Sequence, residues 1–145
     1  MEFARKITRL PRPFDKQRGA EARGLFPEFS ADTADLIAGA AGCSPYLSGL
    51  LQRERDWLVE ALEAHDAALP KEFERLRATA PADLPDALRQ GKRRVALLSG
   101  LADLAGVWPL ENVTSALTDF ADLSVSLALR ATVGAEIARG KLPEA

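Results

Sequence analysis

The chain has 145 residues and a formal net charge of −2, with 47% hydrophobic and 28% charged residues. This length and composition are typical of one soluble domain with a core of its own, and they exclude a disordered chain. The near-neutral charge and the scarcity of aromatic residues argue against nucleic-acid binding, and no apolar run reaches the roughly 20 residues that span a bilayer. The single cysteine, Cys43, excludes an internal disulfide and predicts a reducing, cytoplasmic compartment.

Residues 1–29 are predicted to form a loosely ordered basic arm, followed by a single helical domain over residues 30–145. Up to Arg23 the chain has seven basic and three acidic residues, a balance of +4, and three prolines interrupt any continuous helix in the arm. A solvated N-terminus is favoured over an anion-binding tail, because no aromatic residues interleave with the basic ones as stacking platforms.

Capping signals mark the starts of the next helices. Ser30 precedes one helix, and Ser44 followed by Pro45 marks another start, because a serine hydroxyl can accept a first-turn amide and proline there loses no hydrogen bond. Pro70 is predicted to end a later helix. Residues 36–51 are rich in small side chains, which predicts close packing of neighbouring helices. The helices predicted in this part of the chain cover about residues 31–41, a segment from residue 45, residues 56–69 and residues 71–78.

Two long amphipathic helices are predicted over about residues 86–107 and 111–139. The apolar residues that share one face recur at helical spacing: Leu97, Leu101, Leu104 and Trp108 in the first, and Val113, Leu117, Phe120 and Leu127 in the second. A turn at residues 108–110 joins them into an antiparallel hairpin. Because no segment alternates apolar and polar residues as a strand does, the fold is predicted to be all-α, a compact antiparallel multi-helix bundle centred on this hairpin.

Five charged residues on this hairpin are candidate structural ion-pair or partner contacts: Arg93, Arg94, Asp103, Asp119 and Asp122. Arg93 lies four residues before Leu97 and therefore shares its apolar face. One interpretation pairs this partly buried arginine with an acid of the return helix, Asp119 or Asp122; the other makes it a contact for an anion or a partner. Asp103 interrupts the apolar run and predicts a buried partner, since an unpaired charge there would cost several kcal/mol.

Other potential chemistry in the chain is sparse. His65 is the only histidine, and an exposed helix position is favoured over metal ligation or acid–base catalysis, because no second histidine or cysteine can complete a site. Asp119 and Asp122 are interpreted first as exposed charges, with a two-carboxylate metal site as the alternative. Phosphate-binding loops, a G-x-S-x-G elbow and an H-E-x-x-H motif are absent. The sequence therefore predicts no catalytic, cofactor-binding or metal site within this chain.

Two sequence blocks, in order along the chain, resemble one enzyme family. The first has the pattern G-x-S-P-Y-L…L…W-L and consists of Ala41-Gly42-Cys43-Ser44-Pro45-Tyr46-Leu47, Leu50 and Trp57-Leu58. The second contains K-R-R at residues 92–94, L-A-D-L-A-G at residues 101–106 and L-T-D-F-A-D at residues 117–122. Together the blocks cover about residues 30–130, and they are similar to the helical segment near the start of the bifunctional glutamine synthetase adenylyltransferase/adenylyl-removing enzymes.

The resemblance implies a large enzyme with two similar halves, each with a helical part that leads into a nucleotidyltransferase core. In that core the family has a glycine-rich segment and an S-S-D-x-D motif whose aspartates hold magnesium, and no residue of this chain matches either motif. The resemblance therefore implies that the chain is a helical fragment of a multidomain enzyme. By this resemblance the chain would support the half that removes AMP from glutamine synthetase by phosphorolysis, and the chain would be inactive alone.

For the full-length enzyme the resemblance implies magnesium and ATP as cofactors. It also implies glutamine synthetase and the PII signalling protein as partners in the regulation of nitrogen metabolism. No nucleic acid or membrane partner is predicted. The alternative is a freestanding helical protein–protein interaction module without enzymatic activity, whose similarity to the family is only that of amphipathic helices.

Overall fold

The computed structural model describes residues 2–144 and contains, over that range, eight α-helices and no β-strand. The helices are α1 (Glu2–Lys6), α2 (Lys16–Gly24), α3 (Ala31–Cys43), α4 (Pro45–Arg53), α5 (Arg55–Glu63), α6 (His65–Arg77), α7 (Leu84–Leu104) and α8 (Leu110–Ala138). The prediction of an all-α fold with a long hairpin near its C-terminal end is confirmed by α7 and α8. No helix in the described range has the length and apolarity needed to cross a membrane.

The predicted starts of α3 and α4 are confirmed, although only one of them uses its serine as a cap. The Ser44 hydroxyl accepts a hydrogen bond from the Leu47 amide at 3.1 Å, and Pro45 is the first residue of α4. The Ser30 hydroxyl makes no hydrogen bond to the backbone of α3 and lies 3.2 Å from Thr33 Oγ1. At the start of α3 the serine hydroxyl therefore donates a hydrogen bond to the Thr33 side chain, where the sequence pattern predicts that it caps the helix backbone.

The prediction that Pro70 ends a helix is wrong, because Pro70 lies inside α6. The break comes earlier, at Ala64, whose backbone angles of φ −143° and ψ 68° separate α5 from α6. Pro70 is close to the start of α6, where its missing N–H removes a single backbone hydrogen bond at a cost of about 3 kcal/mol. Leu69 and Leu76 on the same helix are both buried, and each contributes about 1.5–3 kcal/mol, which offsets that cost.

Residues 2–29 contain two helices and three buried phenylalanines where the sequence predicts a loosely ordered arm. Phe3, Phe26 and Phe29 all belong to the main core cluster, and the last two rings stack with their centroids 4.8 Å apart. Their burial gives these residues a source of stabilisation that proline content and net charge do not reveal. The expectation of a loose arm therefore differs from the structure for these residues.

The segment between α1 and α2 lies directly on α3 and on the end of α7. The Thr8 amide donates to the Ala105 carbonyl at 2.9 Å. A Cβ atom at Gly39 would lie 2.0 Å from the Pro11 carbonyl oxygen, and one at Gly42 would lie 2.4 Å from Pro13 Cβ. The close packing predicted from the small residues of this region is thus confirmed, and part of it is contact with the non-helical segment between α1 and α2.

Of the stripe predicted for α7, Leu97 and Leu101 are buried, whereas Leu104 and Trp108 are half-buried and Trp108 lies beyond the end of the helix. The stripe predicted for α8 is divided between two sides of that helix. Leu127 is buried, but Leu117, which belongs to the predicted core stripe, is 48% exposed. Four further large apolar side chains of α8 are also exposed: Leu110, Val125, Leu129 and Val133. Leu117, Val125, Leu129 and Val133 are spaced eight, four and four residues apart along one i±4 row of the helix surface, and we call these four residues the outer face of α8.

Candidate functional site

Two buried glutamates are the most unusual chemical feature of the fold. Glu54 lies between α4 and α5, and each of its two carboxylate oxygens accepts a hydrogen bond from a different arginine of α7. Arg93 Nε lies 3.1 Å from Glu54 Oε2, and Arg94 Nε lies 2.8 Å from Glu54 Oε1. The Glu54 side chain is only 3% exposed, so these two arginines replace the water that would otherwise solvate the carboxylate.

Glu72 on α6 extends the same set of contacts. Arg94 Nη1 lies 2.7 Å from Glu72 Oε2, and Arg75 Nε lies 3.0 Å from Glu72 Oε1. The Glu72 side chain is 2% exposed. We call these five residues, Glu54, Glu72, Arg75, Arg93 and Arg94, the ion-pair cluster. It joins the α4–α5 junction to α6 and α7 through charge-assisted hydrogen bonds.

Arg94 is the central cation of this cluster, because it bonds to both glutamates. Burial lowers the pKa of the Arg94 guanidinium, but the hydrogen bonds that it donates to Glu54 and Glu72, together with the attraction of their charges, outweigh that effect, so the net pKa lies above its ordinary value. The guanidinium also lies 5.4 Å from the centre of the Trp57 ring, within cation–π range. Arg94 is therefore the permanently charged centre of the cluster, since an arginine side chain keeps its proton in proteins.

The geometry of the cluster suits a structural brace. Every carboxylate oxygen of the two glutamates accepts a hydrogen bond from an arginine, and both side chains are buried, so the acids contact other helices and not solvent. A cavity of about 730 Å³ lies beside the cluster, with Trp57, Lys71 and Arg75 among its lining residues. The cluster forms one wall of that cavity and fixes the positions of the helices around it.

The interpretation that pairs Arg93 with an acid of the return helix names the wrong partner. Arg93 and Arg94 are partly buried and ion-paired, but to Glu54 and Glu72 and not to Asp119 or Asp122. The last two are exposed, and Asp119 makes only a 3.4 Å contact from the Ser115 hydroxyl. The side of α8 that carries these acids does not face the arginines of α7.

The prediction of a buried partner for Asp103 is also wrong, because Asp103 is exposed. Arg9 lies beside it, with Nη2 2.6 Å from the Asp103 carbonyl oxygen and 4.0 Å from Oδ1. Nine residues separate Asp103 from Arg94, about two and a half turns, so the two lie on opposite sides of α7. The exposure of Asp103 is therefore set by its position around the axis of α7 and not by the apolar residues next to it in the sequence.

The prediction that His65 is an exposed helix residue is wrong, since the residue is 1% exposed. Its ring is covered by Phe3, whose centroid lies 5.4 Å away in an edge-on arrangement. In the part of the chain that the structure describes, His65, Glu2 and Asp66 are the one set of potential metal ligands whose atoms lie within 4.8 Å of one another. The sequence gives no sign of this proximity, because α1 and α6 are far apart in the chain.

Sequence reasoning missed the two glutamates of the cluster. For Glu72 there was a usable signal, because it lies three residues after Leu69 and four before Leu76 and so shares their buried side of α6. For Glu54 there was none, since it lies in a polar break between two helices. A charged residue on an otherwise apolar helix face predicts a buried partner even when that partner cannot be identified.

The fold and the ion-pair cluster define a helical structural domain, braced by buried ion pairs, across residues 2–144. The family model described as glutamate-ammonia ligase adenylyltransferase matches residues 34–145. The chain belongs to that family, which confirms the predicted resemblance.

Curated relatives carry the name bifunctional glutamine synthetase adenylyltransferase/adenylyl-removing enzyme. One from Bradyrhizobium sp. strain BTAi1 is 41% identical over 113 residues, which are 74% of this chain and 12% of that protein. One from Caulobacter vibrioides is 36% identical over 139 residues, which are 87% of this chain and 13% of that protein. One from Rhodopseudomonas palustris strain CGA009 is 34% identical over an alignment of 153 residues including gaps. That alignment covers 91% of this chain and 16% of that protein. No solved structure matches the chain.

Proposed function

We propose that this chain is the N-terminal helical part of a glutamine synthetase adenylyltransferase/adenylyl-removing enzyme. In that enzyme it supports the half that removes AMP from glutamine synthetase by phosphorolysis. The observation that carries the proposal is the family match over residues 34–145. The chain spans only 12% of the length of the first relative, so residues 30–145 form one domain of a much longer protein under this proposal.

The chemical step belongs elsewhere in that longer protein. Neither the glycine-rich segment nor the S-S-D-x-D motif of the family occurs in this sequence. Residues outside this chain would therefore hold magnesium and ATP, and no step of the reaction is assigned to the residues described here. Glutamine synthetase, the PII signalling protein and a cytoplasmic location are proposed for the whole enzyme.

The contribution of this chain is to hold a docking surface in place. The ion-pair cluster fixes α4 to α7, and α8 packs against α7 with Leu127 and leaves its outer face uncovered. We take the rest of the same enzyme as the partner of this face, because seven eighths of a typical relative lies outside the matched segment. Burying Val125 and Leu129, now 68% and 61% exposed, would stabilise such a contact by about 1.5–3 kcal/mol each.

The proposal is tested by following the adenylyl group of adenylylated glutamine synthetase in the presence of inorganic phosphate. Phosphorolysis transfers AMP to phosphate and produces ADP. We expect no ADP from the 145-residue chain alone and steady ADP release from the whole enzyme. ADP release by the chain alone would contradict the proposal.

The same assay distinguishes the alternative of a freestanding interaction module. If the similarity were only that of amphipathic helices, a whole family enzyme whose corresponding segment is replaced by this chain would not release ADP. Under the proposal the chimaera is active, because this chain supplies the same platform.

A further inference from the structure

The buried imidazole of His65 has polar atoms that the fold does not satisfy. His65 begins α6, next to the break at Ala64, and neither of its ring nitrogens has a hydrogen-bond partner. Nε2 lies 3.3 Å from Asp66 Oδ1, but without the alignment that a hydrogen bond requires. A buried nitrogen without a partner is costly, and a bound ion is one of the few physical explanations for it.

Two carboxylates converge beside this imidazole. Lys6 Nζ lies 3.3 Å from Glu2 Oε1 and 3.4 Å from Asp66 Oδ2, so both acids face the same point and hold one cation there. One ligand atom each from Glu2, His65 and Asp66 lies within 4.8 Å of the others. The imidazole and the two acids thus surround a small volume that already attracts positive charge.

The spacing of these atoms is close to that of a coordinated ion. Two ligands bonded at about 2.0–2.2 Å to one first-row metal lie at most about 4.4 Å apart. The Glu2 and Asp66 side chains are exposed, so a movement of a few tenths of an ångström would bring their oxygens into range without disturbing the core. The Lys6 side chain is exposed as well and is free to move into solvent.

We propose that Glu2, His65 and Asp66 bind a divalent transition-metal ion of the zinc class. A neutral imidazole and two carboxylates suit such an ion, and three protein ligands leave a position for water or a further ligand. A cavity of about 280 Å³, lined by His65, Asp66 and Trp108 among others, adjoins the site and gives room for that ligand. The ion takes the place of the Lys6 ammonium and ties α1 to α6. This inference does not depend on the proposed enzymatic role.

The test is a calorimetric titration of the full 145-residue chain with zinc chloride and, separately, with magnesium chloride. All proteins carry Cys43→Ser, so that the exposed thiol does not contribute. We expect one zinc ion per chain and much weaker magnesium binding. Asp66→Asn and Glu2→Gln should each weaken zinc binding by about tenfold or more, and Lys6→Met should strengthen it, because the competing ammonium is gone.

The variants chosen are at exposed positions, because His65→Ala also removes core packing. Asp86→Asn serves as the matched control, since that carboxylate is 93% exposed and pairs only with Arg89. Circular dichroism verifies that each variant is folded. Absence of zinc binding to the Cys43→Ser chain, or equal binding by Asp66→Asn and the Asp86→Asn control, overturns the proposal.

Discussion

Glu54→Ala is expected to lower the free energy of unfolding by about 3–5 kcal/mol, because it removes one partner of a buried set of ion pairs. The substitution leaves Arg93 without its partner and Arg94 with one glutamate in place of two. The Glu54 side chain makes no capping hydrogen bond to α5, so the loss reports the ion pairs and not the helix end. Urea unfolding followed by circular dichroism at neutral pH measures the effect.

Glu60→Ala is the matched control for this experiment. Glu60 also pairs with a cation, Lys71, but the two side chains are 70% and 77% exposed. Solvent screens such a pair, and we expect little or no loss of stability. Equal losses for Glu54→Ala and Glu60→Ala would show that the cluster is not a brace. A double-mutant cycle between Glu54 and Arg94 then isolates their coupling energy.

Gly39→Ala is expected to destabilise the protein by about 3 kcal/mol or more, at the upper end of the usual cost of overpacking. The added Cβ would lie 2.0 Å from the Pro11 carbonyl oxygen and 2.8 Å from the Pro11 carbonyl carbon. These are backbone atoms, so no side-chain rotation relieves the clash, and residues 11–13 must move away from α3. The melting temperature and the urea midpoint of the purified chain measure the loss.

Gly49→Ala is expected to stabilise the protein, which is the opposite of the effect expected for Gly39→Ala. Gly49 also lies within a helix, but apart from the adjoining residues of its own helix no atom lies within 4 Å of the position of its Cβ. Alanine should therefore stabilise α4 by about 0.5–1 kcal/mol, through its better helix propensity. If Gly39→Ala were stabilising in the same way, the segment around Pro11 would not lie on α3 as described.

The hairpin of α7 and α8 could be predicted from the sequence because its signal is local. Apolar residues recur at helical spacing, and Pro109 lies in the predicted turn at residues 108–110 between the two helices. Gly106 adopts a positive φ of 67° after the end of α7, which is the conformation that favours glycine there. Both signals depend only on neighbours within a few turns, and the structure confirms them.

The structure of residues 2–29 could not be predicted in this way. Phe3 lies against His65, and Phe26 lies under Arg55, whose guanidinium is 5.5 Å from the ring centre. These contacts join residues that are distant in the chain, and no periodicity within the N-terminal segment reveals them. Proline and net charge describe the local conformation only, whereas the burial of three aromatic rings decides how this segment packs.

The candidate site shows the same division between local and distant information. Helical phase indicates that Arg93 shares the side of Leu97, and the structure confirms partial burial of the arginine. Its partner, Glu54, comes from a break between two helices, where periodicity carries no information. The sequence could therefore predict that a charge is paired but could not identify the pair.

The outer face of α8 connects the fold to the proposed function. A ridge of four apolar side chains on the longest helix is exposed, while the other side of that helix packs against α7. Under the proposal the rest of the enzyme covers this ridge. The interaction should then be measurable between two separate polypeptides: this chain, and the remainder of the enzyme without it.

The most direct test of this account is a binding titration between those two polypeptides, with the chain unchanged or carrying Val125→Asp and Leu129→Asp together. Both residues are exposed in the chain, so the double variant should keep its stability while losing affinity. Asn112→Asp, which adds a charge at an exposed position on another side of α8, is the control. The account predicts a one-to-one complex that the double variant weakens by about 100-fold or more, since burying an unpaired carboxylate costs several kcal/mol. Failure of the unchanged chain to bind, or equal binding by the double variant and the control, would contradict it.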